Sequence, residues 1–262
     1  METQFEKTTF AKRLKSMLKV DFKRIFTMPL VYIMAGVCYA LPILILVMTT
    51  MMGGEADPST GAEAIQGFTN VWQSIGSVSG SAMGMDLTSM CNINMLYFLV
   101  AVLVCVFVSE DFKSGYAKNL FTVRSQKIDY VFSKTLVTFT GAAIMFVMYF
   151  IGAMIGGAIA GLSFAKEGFN AGGLIACMLS KIFVILIFVS IALILSVAAK
   201  QRLWISILGS FAGGILLFTM IPMITPLNST FLNVIMTFAG GGLFAVGLGA
   251  LSNIILNKTS LV

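Results

Sequence analysis

The sequence predicts an all-α polytopic membrane protein with six transmembrane helices, an N-terminal amphipathic interfacial helix and both termini cytoplasmic. Three observations carry this expectation. Of the 262 residues, 58% are hydrophobic and only 11% charged, whereas a soluble domain is typically about a quarter charged. Long apolar stretches recur along the whole chain, and a bilayer needs about 20 such residues per helical crossing. The cations, finally, gather in alternate polar segments, which fixes an orientation.

Residues 1–28 form the interfacial segment. Phe10, Leu14, Met17, Leu18, Phe22 and Ile25 recur at helical spacing, and Lys12, Lys15, Lys19 and Lys23 line the other face. Such a helix sets its apolar side in the acyl boundary and its lysines among headgroups and water. Asp21 falls on the apolar side. Its partner is either Arg24 at i+3, the nearer choice, or a neighbouring cytoplasmic segment. The apolar run that starts near Pro29 is too long for the core of a cleaved signal peptide.

Residues 29–262 make up the transmembrane domain, with spans at about 29–52, 90–109, 136–162, 174–199, 203–223 and 231–256. The first outer segment, 53–88, holds Glu55, Asp57, Glu63 and Asp86 and no cation. Short surface helices are expected within 62–75. The third span carries Gly152-x-x-x-Gly156 and Gly157-x-x-x-Gly161, a spacing that lets helices approach closely. It is a weak signal in a chain with 25 glycines. Lys181, near the outer end of the fourth span, is expected to snorkel towards the interface. Trp204 is placed at the inner interface, and Pro222 and Pro226 end or kink the fifth span. Gly240, Gly241 and Gly242 make the outer part of the sixth a poor regular helix.

The orientation follows from the cations. Seven lie in the N-terminal segment, five in the segment 110–134, two in the turn at Lys200 and Arg202 and one at Lys258. The opposite side has Lys166 and Lys181 with five acids. The cation-rich side is therefore cytoplasmic, and the net charge of +6 points to anionic lipid rather than nucleic acid.

Catalytic chemistry is sparse. The chain has no histidine, which removes the commonest metal ligand and general base, and neither a catalytic nor a metal site is expected. Cys38, Cys91, Cys105 and Cys177 lack paired spacing and read as small buried hydrophobes. No acid falls within a span, so a proton-driven carrier is disfavoured. There is no G-x-x-x-x-G-K-[ST], so no P-loop binds a nucleotide here.

The segment 110–134 is the charge-dense run between two apolar stretches, with Lys113, Lys118, Arg124, Lys127 and Lys134 among Glu110, Asp111 and Asp129. Val108-Ser109-Glu110-Asp111-Phe112-Lys113-Ser114-Gly115 resembles the segment after the second span of type-2 ABC transporter permeases. Thr122-Val123-Arg124-Ser125 and Ser133-Lys134 are similar to features further on in that family, as is the basic N-terminus leading into Met28-Pro29-Leu30. Tyr116 stands where threonine is common there, and a proline often found near Val123 is absent. The resemblance spans nearly the whole chain and rests on layout rather than on one specific motif.

It implies the membrane subunit of an exporter in a bacterial plasma (inner) membrane, without enzymatic activity or cofactor of its own. ATP and Mg would be bound by a separate ABC ATPase subunit, and a second permease subunit, identical or different, would complete the transporter. Residues 110–134 would be the coupling segment, with Glu110, Asp111, Phe112, Lys113 and Gly115 forming or flanking the docking surface. Phe112 would anchor it, and Gly115 would allow a sharp turn. The implied cargo is amphipathic: an antimicrobial peptide, a lipid or a drug. The alternative class is a non-transporting immunity or sensor protein that sequesters a ligand in the membrane.

Overall fold

The computed structural model describes residues 9–52, 68–78, 92–123 and 126–258. They form helices α1 (Phe10–Thr27), α2 (Pro29–Met52), α3 (Leu96–Lys113), α4 (Tyr116–Val123), α5 (Ile128–Ile159), α6 (Ala171–Ala199), α7 (Leu203–Phe218), α8 (Ile221–Ile224) and α9 (Phe231–Lys258). Two short 3₁₀ helices, Val71–Ser74 and Ile93–Met95, precede α3. No strand occurs among the described residues. Five helices are long and apolar enough to cross a bilayer: α2, α3 with its 3₁₀ lead-in, α5, α6 and α9. The described residues are thus helical apart from turns and loops, with five helices fit for a multi-pass membrane protein. The remaining apolar helix, α7, has 16 residues. At 1.5 Å per residue this is about 24 Å, short of the ~30 Å hydrocarbon core.

α6 is the hub, packed along α9, α3, α7 and α5, while α2 lies against α5. At the centre Tyr97 stacks on Phe188, with ring centroids 4.6 Å apart, and meets Phe146 at 5.0 Å. Cys38, Cys105 and Cys177 are all 0% exposed, as small core residues should be. Cys91 lies outside the described residues, as do the four acids of the first outer segment, Arg124 and Ser125.

The glycine spacing in α5 has a definite use. A side chain at Gly152 would collide with the carbonyl of Tyr39, and a Cβ at Gly156 would stand 2.7 Å from the Cα of Ile43. The pair therefore seats α2 directly on α5. Gly157 performs another task, receiving Val71 of the segment between α2 and α3. Gly161 ends the helix at φ +69°, with Leu162 N–H returning to the Gly157 carbonyl at 3.0 Å, which is a Schellman closure. In α9 the triple glycine leaves the helix unbroken, contrary to the poor helix expected. Gly241 faces α6, where a Cβ would come within 2.6 Å of the Phe183 carbonyl. Close packing with α6 offsets the weak helical propensity.

Of the helices expected within 62–75, the described part shows one, the 3₁₀ turn Val71–Ser74, closed by an Asn70 and Gln73 capping box. It is fixed to the loop between α5 and α6. Trp72 Nε1 donates to the Phe164 carbonyl at 3.1 Å and Asn70 Nδ2 to the Ala165 carbonyl at 2.8 Å.

Two boundaries bear on function. α3 runs on through Glu110, Asp111 and Phe112 to Lys113, and α5 starts at Ile128 rather than near 136. The charged segment is therefore mostly the ends of two membrane helices plus the eight-residue α4.

Candidate functional site

Where α1, α3, α4 and α5 meet, four charges form one buried cluster. α1 turns Met17, Asp21 and Ile25 to the same side at intervals of four, and all three are buried against α5. This stripe faces protein rather than the acyl boundary expected of it. Lys134 Nζ donates to Asp21 Oδ1 at 2.8 Å and lies 2.7 Å from Asp111 Oδ2. Arg24 Nη2 reaches Asp111 Oδ1 at 2.6 Å. Ser133 Oγ donates to Asp21 Oδ2 at 2.6 Å, and Tyr130 Oη to Asp111 Oδ2 at 3.0 Å. The preference for Arg24 as the partner of Asp21 is corrected here. That pair stands at 3.8 Å, and the principal partner is Lys134 at the start of α5, on the neighbouring charged segment. The reason is the early start of α5, which brings Lys134 opposite the buried stripe of α1.

Two carboxylates and two cations make the cluster neutral. The side chains of Asp21, Asp111 and Lys134 are 0% exposed and that of Arg24 is 28% exposed. Aromatic rings complete it: Arg24 lies 4.1 Å from the Tyr116 centroid and Lys134 4.1 Å from that of Phe107, both cation–π distances. Burial alone would pull the Arg24 guanidinium down, but Asp111 and Asp21 outweigh it and its pKa is raised. The Tyr116 phenol is pushed up, first by burial and then by Asp21. Neutrality and near-complete pairing are the conditions under which buried ions persist. The cluster fixes the mutual placement of four elements.

The five expected site residues divide by helical periodicity. Asp111 and Phe112 follow Val104 and Val108 on the inner side of α3 and face inward, Asp111 at 0% and Phe112 at 8% exposure. Asp111 offers nothing at the surface, and Phe112 only the small part that lines the cleft beside Lys113. For Phe112, expected to anchor in a partner's groove, the ring is instead part of the bundle core. Glu110 and Lys113 are exposed. Gly115 turns the chain at φ +74°, and its carbonyl accepts from Asn119 N at 3.1 Å to open α4. Further along, Lys127 Nζ donates to the Leu256 carbonyl at 2.6 Å, and Arg13 pairs with Asp129 at 2.9 Å. α1, α5 and the end of α9 are thereby tied at this end as well.

A second buried cation lies elsewhere. Lys181 does not snorkel. It sits ten residues into α6, about 15 Å along the helix and beyond the reach of its side chain to that end. It is 0% exposed, and Nζ donates to Asn94 Oδ1 at 2.8 Å and Thr225 Oγ1 at 2.9 Å. Sequence reading passed over Asn94 and Thr225. The available signal was a lysine inside an apolar run, which demands polar partners from neighbouring elements. Among the described residues no group of His, Cys, Asp or Glu is arranged to hold a metal.

No family model matches the chain, and no curated protein or solved structure is significantly similar to it.

Proposed function

We propose that the chain is the membrane subunit of an ATP-driven exporter, working with a separate ATPase chain and a second permease subunit in a bacterial plasma membrane. In this reading there are six spans, α7 and α8 crossing together as the fifth, and both termini are cytoplasmic. The observation that carries it is the buried cluster of Asp21, Arg24, Asp111 and Lys134 directly behind the exposed positions Glu110 and Lys113. A force applied at the Ser114–Gly115 turn meets a rigid block, and the block is made from the ends of α3 and α5 together with α1 and α4. Movement there is passed to two membrane helices at once. A solvated loop would absorb it. The resemblance of residues 108–115 to the coupling segment of type-2 permeases supports the same reading, and so does the cation asymmetry. The docking surface is Glu110, Lys113 and the Gly115 turn, with Asp111 and Phe112 shaping it from beneath. An amphipathic cargo suits spans whose buried acids, Asp111 and Asp129, are confined to one end and paired with cations.

The test is purification of the tagged full-length chain from its native membrane in mild detergent. ATP hydrolysis should co-purify, and Glu110→Lys with Lys113→Glu should abolish it while the chain stays inserted. Purification of the intact chain with no associated ATPase would overturn the reading and favour an immunity or sensor protein. Topology is checked separately, in a background without the native cysteines. Ser59→Cys should be labelled from outside intact cells and Ser125→Cys should not.

A further inference from the structure

A cleft of about 850 Å³ opens between the turn joining α3 to α4 and the turn joining α6 to α7. Lys113 and Lys118 stand on one side, Lys200 and Arg202 on the other, and Phe112 and Leu195 contribute apolar floor. Among the described residues no carboxylate lines it. Lys113, Lys118 and Arg202 form no ion pair among the described residues. Glu110 faces a separate small cavity beside Arg24. Four cations around one concavity repel each other and focus a positive field into it. The turn holding two of them is strained, since Lys200 adopts φ 54°, a region that non-glycine residues occupy sparingly and often at functional positions.

The cleft is also continuous with an apolar outer surface. Trp204, two residues after Arg202, is 78% exposed, Ile205 is 53% exposed and Leu208 66%. A wet cationic rim above an exposed tryptophan and aliphatic side chains is the pattern of the membrane interface, where headgroups meet acyl chains. An acidic loop of a soluble protein would have to lie against that apolar belt. A lipid satisfies both halves.

We propose that this cleft binds the phosphate headgroup of an anionic phospholipid from the cytoplasmic leaflet, its acyl chains descending beside Ile205 and Leu208. The volume suits a headgroup, since small-molecule sites run to about 300–1,000 Å³. The bound phosphate joins Lys113 and Lys118 to Lys200 and Arg202. It thereby staples the end of α3 and the start of α4 to the connection between α6 and α7. The cleft shares Lys113 and the Gly115 turn with the proposed docking surface, but lipid binding needs only that the cation-rich side face the anionic leaflet, so failure of the lipid site leaves the proposed function standing.

The experiment uses the full-length chain and phosphatidylglycerol as probe, with native mass spectrometry counting retained lipid. The parent should keep one phosphatidylglycerol and no phosphatidylcholine. Lys113→Gln, Lys118→Gln, Lys200→Gln and Arg202→Gln together should weaken retention at least about tenfold, because each cation near the surface contributes measurably to anionic-lipid binding. A control of equal charge change on α1, Lys12→Gln, Lys15→Gln, Lys19→Gln and Lys23→Gln, should weaken retention clearly less than the cleft variant, because none of these lysines lines the cleft. If the fourfold variant does not fold, Lys118→Gln with Arg202→Gln, both exposed positions, should still weaken retention about threefold or more. Equal loss in the α1 control would reduce the effect to bulk attraction and overturn the site. So would displacement of the lipid by inorganic phosphate, which marks a free-anion site. Unchanged lipid retention with loss of a co-purifying ATPase would assign the cleft to protein docking instead.

Discussion

Two lysines are completely buried among the described residues, and they are held in opposite ways. Lys134 lies between two carboxylates, 2.8 Å from Asp21 and 2.7 Å from Asp111, in a cluster that Arg24 brings to neutrality. Lys181 has two neutral oxygens, from Asn94 and Thr225. Coulomb attraction in a poorly polarisable interior is strong enough to fix geometry, but it makes each ion dependent on the others. Hydrogen bonds to neutral groups hold a cation more weakly, and little is left uncompensated when it goes. The first arrangement suits a joint that transmits force. The second suits a local tie between helices.

The largest effect should follow from Lys134→Met. It leaves Asp21 and Asp111 buried with only Arg24 for charge, and removing one partner of a buried ion pair costs about 3–5 kcal/mol. Unfolding of the detergent-solubilised chain, followed by tryptophan fluorescence, should show that loss. The comparison sharpens if Asp21→Asn is added, because the double variant restores charge balance and should recover part of the stability. Lys134→Met with parental stability would break the comparison outright.

The sequence made some of this legible and hid the rest for a physical reason. α2 runs Pro29–Met52, the bounds expected, because Pro29 starts it and its interior is apolar throughout. Asp21 was visible as an anomaly on an apolar stripe, yet its partner Lys134 lies 113 residues away, and no local spacing rule reaches that far. The same limit applies to Lys181, 87 residues from Asn94. Within residues 110–134, charge density suggested a water-exposed insert. Helix α3 continues into it instead, so that periodicity, not composition, decides that Asp111 and Phe112 face in while Glu110 and Lys113 face out.

Phe112→Ala separates those two faces and should rank next. The ring is 8% exposed within the core, so its loss leaves a cavity and costs about 3–5 kcal/mol of stability. A docking anchor would lower ATPase affinity without touching the fold. Unfolding measurements set beside ATPase co-purification tell the two apart. An unchanged unfolding midpoint with lost partner binding would return Phe112 to the docking surface. Asp21→Asn alone should be milder, about 1–3 kcal/mol, because the amide oxygen still accepts from Ser133 or Lys134 and Asp111 still compensates Lys134.

The smallest effect should come from Lys181→Met. The variant removes two hydrogen bonds and leaves Asn94 Oδ1 and Thr225 Oγ1 with fewer partners, a loss of about 1–3 kcal/mol per buried group left unsatisfied. Against this stands the relief of a buried cation that no carboxylate compensates, which is worth several kcal/mol in its own right. Thr225 Oγ1 also keeps its bond to the Ile221 carbonyl at 2.9 Å, so only part of the penalty applies. The terms nearly cancel, and the unfolding midpoint should stay close to that of the parent. What should change is local. Lys181 ties α6 to the lead-in of α3 and to the segment after α8, and Cys177, one turn away, donates to the Thr225 carbonyl at 3.4 Å. Reaction of Cys177 with a small membrane-permeant thiol reagent should quicken in Lys181→Met. Cys38 and Cys105, equally buried but on other elements, should react as before and serve as internal controls. A collapse in stability comparable to that of Lys134→Met would mean that Lys181 depends on a compensating negative charge after all, and the contrast between the two lysines would fail.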